Sequence, residues 1–189
     1  MKRLLLCPLV LCASSPLHAL DKTSISIGGG ATVPVGEYGR DSNAGFHFAG
    51  SVGIPTRLGG CPVLLEALFS KTDSVFGYGQ HTQVVGGTVG FSYVLLRGRT
   101  VRPYLTAGAG FHDVAVSWIP PSLPYPGAAP ASLETRHETR PGFAIGGGAS
   151  IDVGKAQLFL EGRYIVVLTH DGSTGFVPVT IGVRFGGRR

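Results

Sequence analysis

The chain has 189 residues, of which 14% are charged and 43% apolar, with 30 glycines and a formal charge of +5. So little charge beside so much apolar content excludes a disordered chain. The glycines speak against a helical bundle, since each would weaken a helix interior by about 1 kcal/mol, and the scattered Lys and Arg do not make a nucleic-acid surface. In chain order, Met1–Ala19 comes first and reads as a secretory signal. Lys2 and Arg3 precede the apolar Leu4–Ala13, and Ser14–Ala19 approaches a small residue at the cut. The expected division is a signal over residues 1–19 and one domain over residues 20–189. The apolar stretch is too short to span a bilayer. Its removal takes Cys7 and Cys12 away and leaves Cys61 alone, so the exported chain forms no internal disulfide.

From Ser24 onward, apolar residues recur with period two, punctuated by Gly, Pro, Asn and Asp. Eight strand segments follow: Ser24–Val35, Ala44–Ile54, Pro62–Lys71, Thr82–Leu95, Arg102–Val116, Arg140–Val153, Ala156–Leu168 and Gly175–Phe185. Most are longer than the roughly 5–6 residues of a common soluble strand. They match the ~9–11 residues with which a tilted strand crosses a membrane. The eighth sets Val177, Val179, Ile181, Val183 and Phe185 against Pro178, Thr180, Gly182 and Arg184. The sixth sets Phe143, Ile145, Ala149 and Ile151 against Gly146, Gly148, Ser150 and Asp152. Polar faces this rich in Gly and poor in charge suit a narrow barrel interior better than a solvated sheet. The predicted fold class is all-β: an eight-stranded antiparallel up-and-down transmembrane β-barrel.

The connections alternate in length. Pro55–Cys61, Leu96–Val101 and the bend at Gly154-Lys155 are short, whereas Gly36–Asn43, Thr72–His81 and Ser117–Thr139 are longer and more polar. Short turns on one rim and long loops on the other place both termini in the periplasm. Five prolines, among them Pro120 and Pro130, keep the third long loop from adding a ladder strand through its middle.

Inward positions bring Glu66, Glu161, Arg163 and Arg184 into one interior. An unpaired charge there would cost several kcal/mol, so the four are expected to pair as a plug of the lumen, with a gated pore as the sharper alternative. Glu134, Arg136, Glu138 and Arg140 share the register of Gly146 and Ser150, so they should continue the inward face above the membrane as a ladder of paired charges. Trp118 and Tyr125 of the third loop are candidate contacts for a ligand at the mouth. Phe46, Phe69, Tyr93, Tyr104, Tyr164 and Phe176 are candidates for the aromatic girdles.

No catalytic or metal pattern rises above these. His47, His81, His112, His137 and His170 lack metal-ligand spacing. His112-Asp113 and His170-Asp171 with Ser173 read as polar rim residues rather than acid–base pairs. The triplets Gly28–Gly30 and Gly146–Gly148 lie inside strands with no helix after them, which excludes a phosphate loop. No cofactor and no metal are expected.

Three stretches carry a resemblance. GGGATVPVGEYGRDSNAGFHFAGSVGI (Gly28–Ile54), VRPYLTAGAGFHDV (Val101–Val114) and FLEGRYIVVLTHDGSTGFVPVTIGVRFG (Phe159–Gly186) resemble hairpins of the small bacterial outer-membrane β-barrel family, related to OmpA- and OmpW-type barrels. The resemblance implies insertion by the barrel-assembly machinery, which reads a terminal aromatic residue. Here Phe185 is followed by Gly186–Arg189.

The expected protein is therefore not an enzyme but an outer-membrane scaffold. It is embedded in outer-membrane lipid and presents loops to an extracellular ligand, with no nucleic acid among its partners. The alternatives are a narrow pore for small solutes and a soluble periplasmic ligand-binding barrel.

Overall fold

The computed structural model describes residues 23–56, 61–75, 80–96, 99–118, 134–169 and 172–186. The expected signal over residues 1–19 lies outside these. Eight strands form: β1 (Ser24–Val35), β2 (Gly45–Ile54), β3 (Val63–Asp73), β4 (His81–Val94), β5 (Val101–Trp118), β6 (Glu134–Val153), β7 (Ala156–Thr169) and β8 (Gly172–Gly186). Each pairs antiparallel with the next, and β1 closes on β8 from Ser24↔Gly186 to Val35↔Gly175. The predicted eight-stranded antiparallel barrel is the observed one.

Period-two alternation fixes the two faces, and the apolar one points out. Ile27, Phe48, Phe111, Ile145 and Ile181 are 61–67% exposed on the barrel surface, whereas Thr32, His47, Thr106, Ser150 and Thr180 are buried inside. A water-soluble ligand-binding barrel would need the reverse arrangement, so that alternative does not fit. On the outer wall Phe46 meets Phe48 edge-on at 5.8 Å and Phe69 at 6.3 Å between ring centroids.

The apolar belt crosses β5 from Val101 to Phe111 and β6 from Phe143 to Val153, a span that suits a tilted membrane-crossing strand. Above it the outward positions turn polar, with Lys71, Gln83, Asp113 and Thr139. Gly154, at φ +57°, turns the chain between β6 and β7 on the opposite rim, a backbone conformation that favours glycine.

Three features differ from the sequence expectation. Strand β8 starts at Gly172 rather than Gly175, because the polar Ser173 and Thr174 extend the strand past its apolar signal. A single helical turn, α1 (Tyr38–Asp41), lies in the first long loop, packed over β1 and β8; four residues are too few to show a helical period. Strands β5 and β6 also run on to Trp118 and Glu134, paired throughout. The segments ending at Val116 and starting at Arg140 were too short. The alternating charges of residues 134–140 are strand, as their register with Gly146 suggested.

Candidate functional site

The lumen is filled by three groups of side chains. Toward the outer end Leu68, Val84, Val114, Ala144, Ile165, Val167 and Phe176 make an apolar cluster, with Tyr38 of α1 packed against it. The Tyr38 hydroxyl is hydrogen-bonded to Thr72, which ties the helical turn to the top of β3.

Beside it runs a hydroxyl–imidazole chain. His47 bonds Thr32 through Nδ1 at 3.2 Å and Thr180 through Nε2 at 2.8 Å, and Ser70 donates to Thr32 at 3.0 Å. His47 is wholly buried, yet both ring nitrogens are satisfied, as a buried imidazole requires.

A charged group sits nearer the opposite rim on β3 and β7. Arg163 grips Glu66 with both terminal nitrogens and Glu161 with Nε. The side chains are 13%, 6% and 4% exposed respectively. One guanidinium thus links β3 to β7 across the interior through bidentate, charge-assisted bonds. A cavity of about 10 Å³ remains beside Glu66, Thr88, Thr106 and Arg163, about the room one water needs and far too little for a solute.

Arg184 does not join this group. Its Nε donates to Ser26 at 3.0 Å, and its guanidinium lies 5.4 Å from the centroids of both Tyr104 and Phe159. Two aromatic faces take the place of a carboxylate. The expected four-residue pairing is therefore a three-residue cluster plus a cation held on rings. This also corrects the girdle assignment, because Tyr104 and Phe176 are buried inside the barrel. Both occupy even-numbered inward positions beside Thr106 and Thr180, and aromatic character alone does not show that. Phe46, Tyr93 and Tyr164 face outward and are exposed.

The interior glycines make room. A methyl group on Gly146 would run into Arg163, one on Gly148 would lie 2.8 Å from the Tyr104 hydroxyl, and one on Gly182 would lie 2.5 Å from Phe159. Three of the largest interior side chains thus lie flat against glycine backbone.

His112, which no sequence pattern singled out as interior, is buried. Neither ring nitrogen has a hydrogen-bond partner among the described residues. It lies across Gly86 of β4, whose Cβ would collide with the ring, and beside Gly142 of β6, whose Cβ would meet Nδ1 at 2.7 Å. Neighbouring strand residues point to opposite faces, so His112 and Asp113 cannot act together. Asp113 instead accepts from His137 at 2.9 Å and from Thr139 at 3.0 Å on the outer wall above the belt. Those two bonds, the histidine's first, hold its carboxyl below the usual carboxylate range. Residues 170 and 171 lie outside the described residues, and Ser173 is exposed on β8.

Near the opposite rim Arg102 pairs with Asp152, which also accepts from Gln157 at 2.9 Å. Trp118 ends β5, and Tyr125 lies outside the described residues. Among the described residues no group of His, Cys, Asp or Glu could hold a metal ion.

A closed barrel with its apolar face outward and a buried ion cluster inside is a membrane-spanning β-barrel of the outer-membrane class. The family model described as "Outer membrane protein beta-barrel domain" matches residues 4–185, and the chain belongs to that family. Among solved structures it is similar to Neisserial surface protein A, at 16% identity and a TM-score of 0.64 over 87% of this chain and 97% of that one. It is similar to a major outer membrane protein from Thermus thermophilus, at 12% identity and 0.59 over 87% and 98%. A third is the attachment invasion locus protein of Yersinia pestis, at 19% identity and 0.51 over 86% and 97%. At these identities the likeness is one of fold. No curated protein matches the chain.

Proposed function

We propose that this chain is a non-conducting, non-enzymatic scaffold of the outer membrane, which holds an extracellular ribbon and its loops in place. The observation that carries this reading is the filled interior. The apolar cluster around Phe176, the His47 chain and the Glu66–Arg163–Glu161 cluster occupy it, and a cavity of about 10 Å³ is no path for a solute. Eight strands leave an interior that side chains alone can fill. In this reading residues 1–19 are removed on export, the barrel-assembly machinery inserts the chain, and outer-membrane lipid covers the belt. Trp118, which ends β5, and Tyr125 of the third loop are, in this reading, the candidate contacts for a ligand.

Planar-bilayer recording on the refolded protein tests it. The scaffold reading expects no discrete conductance steps. Steps that reproduce and change size on Glu66→Gln would overturn it and make the chain a narrow pore.

A further inference from the structure

The barrel is closed at membrane depth but not above it. Pairing between β6 and β7 stops at Gly142↔Val167, whereas β6 remains paired with β5 up to Trp118↔Glu134. Residues 134–141 of β6 therefore pair with β5 on one side and with no described strand on the other, β7 ending at Thr169, level with residue 140. Opposite odd-numbered β6 residues, the carbonyls of Leu160, Gly162 and Val166 aim across at β6, where a Cβ on Gly148, Gly146 or Gly142 would meet them. By strand alternation, Thr135, His137 and Thr139 carry their N–H and C=O groups toward the open side. Such an edge is a template for another strand.

Its sequence, Glu134-Thr135-Arg136-His137-Glu138-Thr139-Arg140, is charge-complementary to itself when reversed. An antiparallel pairing centred on His137 sets Glu134 opposite Arg140, Arg136 opposite Glu138 and Thr135 opposite Thr139. Opposite charges facing one another across a strand pair are favourable and like charges are not. A slip of two residues in either direction puts Arg136 against Arg140 and Glu138 against itself, or Glu134 against Glu138 and Arg136 against itself. Charged edges ordinarily keep strands apart; here the pairing centred on His137 joins four opposite-charge pairs, and the registers centred on Thr135 or Thr139 join only two over a shorter overlap. Glu134, Thr135, Arg136, His137 and Thr139 are all exposed. The Glu138–Arg140 pair at 2.6 Å already holds two of the charges in line along the strand.

We propose that this edge of β6 docks a second copy of the chain, the two forming one continuous sheet about a two-fold axis at His137. Such an isologous contact closes on itself. Because the strands run antiparallel, the two barrels stand head to head, with their belts in two separate micelles or two apposed membranes. The inference deepens the scaffold reading, supplying a partner for its ribbon. Bilayer conductance reports on the lumen alone, so the two can fail separately.

The experiment measures protein mass in detergent micelles by sedimentation for the wild type, Glu134→Arg, Arg140→Glu and an equimolar mixture of the two variants. Folding of each is checked by the gel shift between unheated and boiled samples. The wild type should dimerise with concentration. Each reversal alone opposes like charges at two symmetry-related places and should weaken the dimer by about tenfold or more. The mixture should regain it, since every pairing of position 134 in one variant with position 140 in the other then joins opposite charges again. A monomeric wild type, unimpaired single reversals, or folded variants whose mixture does not regain the dimer would each overturn the proposal.

Discussion

Glutamate and arginine alternate in two regions of this barrel, and the same chemistry does different work in each. In the lumen, Glu161 and Arg163 stand two residues apart on β7 with Glu66 facing them from β3, almost wholly out of water. On the projecting ribbon, Glu138 and Arg140 also stand two residues apart on one face of β6, at 22% and 40% exposure. A buried ion cluster is costly to break, because the survivor is left charged and unsolvated. A pair that keeps more of its water is better screened and worth less to the fold. Burial, not pairing, thus decides which charges hold the barrel together.

The sharpest way to break this comparison is Arg163→Ala. It strands two buried carboxylates and should cost about 3–5 kcal/mol in reversible unfolding, seen also as a gel shift at a lower temperature. Adding Glu66→Gln and Glu161→Gln to that variant should recover part of the loss, because the stranded charges are gone. Gly86→Val comes next. Its side chain would occupy the space of the His112 ring, and such overpacking typically costs about 1–3 kcal/mol by the same assay.

Arg184→Ala loses two aromatic contacts and the Ser26 bond, and should cost about 1–2 kcal/mol. Arg140→Ala, the ribbon counterpart of Arg163→Ala, should change unfolding by less than about 1 kcal/mol. A large loss there, or a small one for Arg163→Ala, would undo the contrast.

The smallest effect is one of pH. The hydrogen bonds of Asp113 lower its folded pKa. Its contribution is therefore present above the unfolded carboxylate value, near pH 4, and is lost as pH falls through the folded one. Asp113→Asn should flatten the acid limb of stability against pH, with a small loss at neutral pH that vanishes as pH falls below the folded pKa of the wild-type carboxyl.

Much of this was legible because a strand reports its faces directly. Val177 to Phe185 in alternation gives the lipid side of β8, and Glu66, Glu161 and Arg163 fall on inward positions by parity alone. What parity cannot give is who touches whom across the lumen. Arg184 shares the inward face with both glutamates, but its level in the barrel sets it beside Tyr104 and Phe159, and only the shear of the closed sheet determines that. The gap that accommodates His112 is likewise made by Gly86 and Gly142, each more than twenty residues away. Strand length was misjudged where the apolar signal ended. Above the belt both faces of β6 are polar, so residues 134–140 showed only their charge alternation.

The difference between a sealed interior and an open ribbon is tested most directly by thiol accessibility. In a chain cleared of its own cysteines, Val167→Cys lies in the apolar cluster, at a position with 0% exposure, and Glu134→Cys lies on the exposed end of β6. With a charged, membrane-impermeant maleimide applied to the folded protein in vesicles, Glu134→Cys should label rapidly, in those copies whose ribbon faces the bulk. Val167→Cys should stay unlabelled until the barrel is unfolded by heating. Labelling of Val167→Cys in the folded barrel at a rate near that of Glu134→Cys would mean that water and solutes enter the lumen, and the closed interior would be wrong.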